Sequence, residues 1–235
     1  MMKRLIATIQ LDTRLLWRNK IYHLSAGLAL VVIWLLRGLF AQEALKLAIP
    51  SFFLYAVAGT TYLFLAALVL FGKSERSLQG MVVTPLSLNE YLLAKIVALG
   101  FLAVLESLVI TFFTYGTNFQ LIPFLLGIMV LGAFYTLMAF IMVARYNQIT
   151  ELLVPTLAVS LFLSIPLLHH NGLSDSFIFY LWPTQPPLLL MKAAFIPLPL
   201  WEYVYATIGS ALILAGMFRW AQGAFRKFIV LNAGN

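Results

Sequence analysis

Polar residues punctuate this chain rather than alternate through it. Apolar runs long enough to carry a helix across a hydrocarbon core of ~30 Å, about 20 residues each, recur between short polar breaks. They predict six spanning helices at about 21–40, 50–71, 91–114, 121–143, 152–168 and 202–220. The run Pro50–Phe71 holds no charge, and Ile21–Phe40 holds only Arg37, close enough to its end to snorkel. Residues 41–48, Tyr115–Gln120 and Arg145–Glu151 read as short connections, the second a tight turn around Gly116, Thr117 and Asn118.

Two stretches break this rhythm. Residues 169–201 contain His169, His170, Asn171, Gly172, Asp175 and prolines at 183, 186, 187, 197 and 199, yet Leu188–Ile196 is apolar. That pattern predicts an extracellular surface segment or a re-entrant half-helix. Residues 1–20 precede the first span. At 100° per residue, Leu5, Ile9 and Leu16 fall together with Ile6 and Trp17 at their flank, and Lys3, Arg14 and Arg18 lie opposite. This is a basic amphipathic helix suited to the headgroup plane. A charged tail that only fixes topology is the simpler reading, and Asp12 and Lys20 near the apolar face favour it.

Composition agrees with lipid as the solvent: 63% of residues are hydrophobic, 10% are charged and the mean hydropathy is +0.97. Where backbone groups must be satisfied without water, only helices and closed barrels survive. A barrel would alternate polar and apolar residues, so the fold class is an all-α integral membrane protein, a single domain over 1–235. No small-residue cleavage site follows the first run, which is therefore expected to be retained. The chain has no cysteine, which removes disulfides and thiolate chemistry.

An even number of spans puts both termini on one side. Of the 15 Lys and Arg residues, Lys3, Arg4, Arg14, Arg18, Lys20, Lys73, Arg76, Lys95, Arg145, Arg219, Arg226 and Lys227 then share that side, and Arg37, Lys46 and Lys192 face the other. Positive residues stay in the cytoplasm, so both ends are expected there, in a bacterial inner membrane.

The polar break at 72–90 carries the most specific signal. Ser74 is a candidate N-cap with Glu75 in the first turn. Pro85 disfavours helix at Thr84. Ser87-x-x-Glu90 is a capping box that starts the next span. A short helix with Met81, Val82 and Val83 to bury is thus expected at the membrane surface, although caps alone would also suit a plain connection. With an amphipathic helix and six spans around it, this segment resembles type-2 ATP-binding-cassette export permeases. Their pattern between spans two and three is similar at Glu75, Leu78, Val83, Thr84, Pro85, Leu86, Ser87, Glu90 and Tyr91, with Lys95 following. The chain departs at Arg76 where glycine is usual, at Ser77 for threonine and at Gln79 for an acid. The resemblance implies a coupling helix that docks on an ATPase subunit, through Glu75, Arg76, Leu78, Val82, Val83, Thr84 and Pro85. It also implies two ATPase subunits holding ATP and Mg, no cofactor in this chain, and a second permease subunit, identical or related. Tyr180-Leu-Trp-Pro-Thr-Gln-Pro-Pro-Leu-Leu-Leu further resembles the fluoroquinolone-export permease subgroup, which implies export of a drug-like amphipathic or lipid-like molecule. By position, Arg145–Glu151 is a second cytoplasmic contact or a simple turn.

Within the spans, Glu106 stands near the middle of the third. An unpaired charge there costs at least a few kcal/mol, so it lines a path with Ser107 and Thr111, or makes an interhelical hydrogen bond. Gly59, Thr60 and Thr61 read as packing residues rather than ligands. Adjacent His169 and His170 with Asp175 suit a polar loop better than a metal site. No HExxH, no Gly-x-Ser-x-Gly and no phosphate loop ending in Gly-Lys-Ser/Thr is present, which argues against an enzyme. A secondary transporter or channel working without an ATPase, and a membrane anchor or assembly factor, are the competing functions.

Overall fold

A computed structural model of the chain describes residues 2–74, 87–146, 148–225 and 227. The described residues form helices joined by short turns, with no strand among them. In order these are α1 (Met2–Arg18), α2 (Ile21–Leu39), α3 (Gln42–Ser74), α4 (Leu88–Thr114), α5 (Leu121–Val143), α6 (Ile149–Leu163), the single turn α7 (Leu167–His170), a 3-10 turn (Phe177–Leu181), α8 (Gln185–Ala193) and α9 (Leu200–Phe225). Among the described residues, α2, α3, α4, α5 and α9 are long and apolar enough to cross a membrane.

Helix α5 is the centre. Burial covers 72% of its most apolar window, against 22% for α2 and 17% for α9. It packs on α3, α4, α8 and α9 through Phe124, Ile128, Leu131, Phe134, Tyr135 and Phe140. Its bounds are those the apolar run predicts, because a charge-free run between two polar turns leaves little choice of ends.

Elsewhere the pattern misplaced boundaries. Residues 41–48 do not form a connection: α3 starts at Gln42 and continues through Pro50. That proline forfeits one donor, to the Lys46 carbonyl, and the apolar neighbours hold the helix together across it. The fifth predicted span, 152–168, is interrupted. Helix α6 stops at Leu163, about 22 Å of helix at ~1.5 Å per residue, because Pro166 has no N–H for the Phe162 carbonyl. The freed carbonyls are taken up from a distance: the Trp182 indole N–H donates to Phe162 (2.8 Å) and the Thr184 hydroxyl to Leu163 (2.6 Å). The Trp-Pro-Thr stretch therefore caps α6.

Residues 185–193 are not a surface segment. Gln185 to Met191 and Ala193 of α8 are all buried, against α5, α9 and α3. Pro186 and Pro187 stand in the first turn, where the missing N–H is no loss. Glycines let the long helices close on this short one. A Cβ at Gly127 would stand 2.6 Å from Met191 Cγ and 2.9 Å from its backbone nitrogen, and one at Gly209 would stand 3.1 Å from Pro186 Cγ.

The histidine pair serves the same region. His169 Nδ1–H donates to the Ser174 carbonyl (3.1 Å) and His170 Nε2–H to the Leu47 carbonyl (3.1 Å). Carbonyls only accept, which fixes both tautomers. Among the described residues no group of three or more His, Cys, Asp or Glu is poised for a metal. His170 is 4% exposed, and burial pushes its ring down to about 4, with Lys192 and His169 adding to the shift and the Leu47 bond opposing it. The buried ring is neutral, so the unfolded chain takes up the proton first as pH falls. Stability tied to His170 is present above about pH 6.5 and is lost toward about pH 4. At pH 5 this amounts to about 2 kcal/mol. Between pH 7 and 5 the thermal midpoint of the wild type should fall about 5 °C further than that of His170→Gln. Parallel slopes for the two proteins would contradict the assignment.

Candidate functional site

The end of the bundle where α4 begins gathers several bonded and paired polar groups. Ser87 stands at the N-cap of α4 in an extended conformation. The Glu90 carboxylate accepts from the Ser87 N–H (2.8 Å) and hydroxyl (2.9 Å), and the Glu90 N–H donates back to Ser87 Oγ (3.3 Å). The capping box read in the sequence is formed, with Glu90 itself 3% exposed. It fixes where the segment 72–90 rejoins the bundle.

Three neighbours hold that point. Asn89 Oδ1 accepts from the Gln222 amide of α9 (2.6 Å). Tyr91 meets the Phe140 ring of α5 edge-on at 5.8 Å. One turn further, Lys95 forms an ion pair with Asp12 of α1. Both partners are almost fully buried, at 5% and 1% exposure, and the Lys95 ammonium also stands 5.2 Å from the Tyr91 ring centre. Burial raises the Asp12 carboxyl above its usual range, and Lys95 pulls it back. Its second oxygen has no partner.

This pair recasts the N-terminal helix. Asp12 faces into the bundle, and Asp12 and Leu16, one turn apart, are both buried. Trp17 and Leu11 remain exposed. An acid on an otherwise apolar helix face was the available signal, since such a group needs a counter-charge; its partner lies 83 residues away.

The coupling residues Glu75, Arg76, Leu78, Val82, Val83, Thr84 and Pro85 lie outside the described residues. Of the candidate path residues, the structure separates Glu106 from the other two. Ser107 and Thr111 are buried at 1% and 0% exposure. They continue, four residues at a time, the face on which Ala103 meets Gly132 of α5. Thr111 Oγ1 has no hydrogen-bond partner among the described residues. Glu106 points instead toward α2, where it lines a groove of about 230 Å³ together with Ser25. Thr61 bonds back to the Val57 carbonyl and Thr60 to that of Ala56 (2.9 Å), as packing residues do.

Comparison with known sequences covers the whole of this arrangement. The sequence model of the Fluoroquinolones export permease protein family matches residues 3–233. Two curated relatives, both fluoroquinolones export permease proteins from strains of Mycobacterium tuberculosis, are 30% identical over 237 aligned positions, covering 99% of this chain and 99% of each relative.

Proposed function

Because this chain belongs to the Fluoroquinolones export permease protein family, and is thus a multi-pass membrane transporter rather than an enzyme, we propose that it is the permease subunit of an ATP-driven exporter. Two ATPase subunits carry ATP and Mg, and this chain supplies the path. The observation that carries the reading is the segment 73–91, whose Val-Thr-Pro-Leu-Ser-x-x-Glu run ends on a formed capping box tied to α1, α5 and α9. A docking segment needs this anchorage, because a push on it must move helices rather than bend a loop.

Six crossings suit the geometry. Asn89 at the start of α4 bonds Gln222 near the end of α9, so those ends share one side. The chain turns back tightly between α4 and α5 at Gly116, whose φ of +93° suits glycine. It must then cross once more before α9, and residues 149–168 supply about 30 Å of chain. Helix α8 fits a re-entrant piece beside that crossing, and α1 lies at the cytoplasmic headgroup level with Trp17 and Leu11 toward lipid. Both termini are then cytoplasmic, in agreement with the Lys/Arg distribution. Cargo is a drug-like amphipathic molecule, of which a fluoroquinolone is the type the relatives' names offer, or a lipid-like compound. A second permease subunit, identical or related, completes the path.

The test is co-purification in detergent with ABC-type ATPase subunits from the same organism. A stable complex, in which this chain alters the ATPase rate, is expected. A chain that always purifies alone would favour a secondary transporter.

A further inference from the structure

We propose that the groove between α2 and α4 binds the protonated amine of an amphiphilic molecule, with the Glu106 carboxylate as its counter-charge. Glu106 lies eleven residues beyond Lys95 and eight before the end of α4, about 16 Å and about 12 Å along the axis. That places it deep within a spanning helix. A carboxylate at such depth demands a cation, a proton or a polar neighbour. The groove is walled by Tyr22, Ser25 and Ala29 from α2 and by Leu102, Glu106 and Val109 from α4, and among the described residues no Lys, Arg or His lines it.

Ser25 satisfies one oxygen at most, since a hydroxyl has a single hydrogen. A serine–serine or serine–threonine bond would hold the two helices equally well without burying a charge, so packing does not account for a glutamate. The rest of the wall is apolar and opens sideways at Leu30, Leu105 and Val109, which are 69%, 45% and 37% exposed. A ligand with one ammonium and an apolar body matches both halves of the site and reaches it from the bilayer. Binding stands independently of transport; only the identification of this ligand as cargo rests on the export reading.

The experiment uses the full chain in lipid nanodiscs, with empty discs as the blank. The probe is monodansylcadaverine, a fluorophore on a short alkyl chain ending in an ammonium, compared with its N-acetyl derivative. Glu106→Gln keeps the size of the side chain and its acceptor for Ser25 but removes the charge. A charged hydrogen bond lost from a dry site should raise Kd for the amine about 10- to 100-fold. The N-acetyl probe should bind wild type and variant equally weakly. An unchanged Kd in Glu106→Gln, equal binding of the two probes to wild type, or no binding of the amine at all would overturn the site. Co-purification of Glu106→Gln with the ATPase, measured in parallel, separates this outcome from the exporter assignment. Retained assembly with lost amine binding is expected, and amine binding without any ATPase assembly would sink the exporter reading alone.

Discussion

Asp12→Ala should lower the stability of this protein by about 3–5 kcal/mol, the cost of stranding one member of a buried ion pair. The Lys95 ammonium would be left at 5% exposure beside the Tyr91 ring, with its counter-charge gone. At a few degrees per kcal/mol, the thermal midpoint in detergent should drop by about 10 °C. Asp12→Leu combined with Lys95→Met removes both charges and leaves the site filled, so it should recover most of the loss. Asp12→Leu alone fills the site yet still strands the Lys95 charge, so recovery that needs Lys95→Met as well separates charge from volume. Asp12→Ala and the double variant losing stability to the same extent would contradict a compensated pair. The pair also joins α1 to α4 one turn beyond the Glu90 cap. The rescued double variant therefore asks a second question, whether ATPase stimulation survives when the α1–α4 link is apolar.

The second large effect concerns assembly. Glu75→Arg with Val83→Asp places a charge of the wrong sign and a buried-surface acid in the segment proposed to dock on the ATPase. Like charges and an unpaired carboxylate at an interface core cost several kcal/mol, enough to abolish co-purification from a micromolar complex. Membrane insertion should be unaffected, since both residues fall in the polar break that the sequence shows at 72–90. Full recovery of the complex with the double variant would remove residues 73–91 from the docking role.

The apolar runs made α2, α4 and α5 legible because a lipid-facing helix must be continuous and uncharged, and little else satisfies that constraint. The same rule hid α8. A nine-residue helix opened by Pro186 and Pro187 looks like a loop when length is the criterion. Its burial depends on Gly127 and Gly209 yielding space from other helices. The break after Leu163 was equally obscure, because a proline within an apolar run can continue a helix, as Pro50 does in α3, or stop one. What decides is whether distant donors such as Trp182 and Thr184 are at hand. The capping box at Ser87–Glu90 was readable since it is local. The Asp12–Lys95 pair and the approach of Ser25 to Glu106 were not, because no pairing rule reaches across 80 residues of chain. For Glu106 the sequence grouped residues that the fold separates: Ser107 and Thr111 turn toward α5, away from the groove that Glu106 lines.

The energy source for transport separates an ATP-driven permease from a secondary transporter. This chain and its ATPase subunits, reconstituted together in proteoliposomes, should move a fluorescent fluoroquinolone only when ATP is present on the nucleotide-binding side. Vanadate should stop the movement, and a protonophore should leave it unchanged. Movement by this chain alone, insensitive to vanadate and abolished by the protonophore, would contradict an ATP-driven permease and make it a secondary transporter.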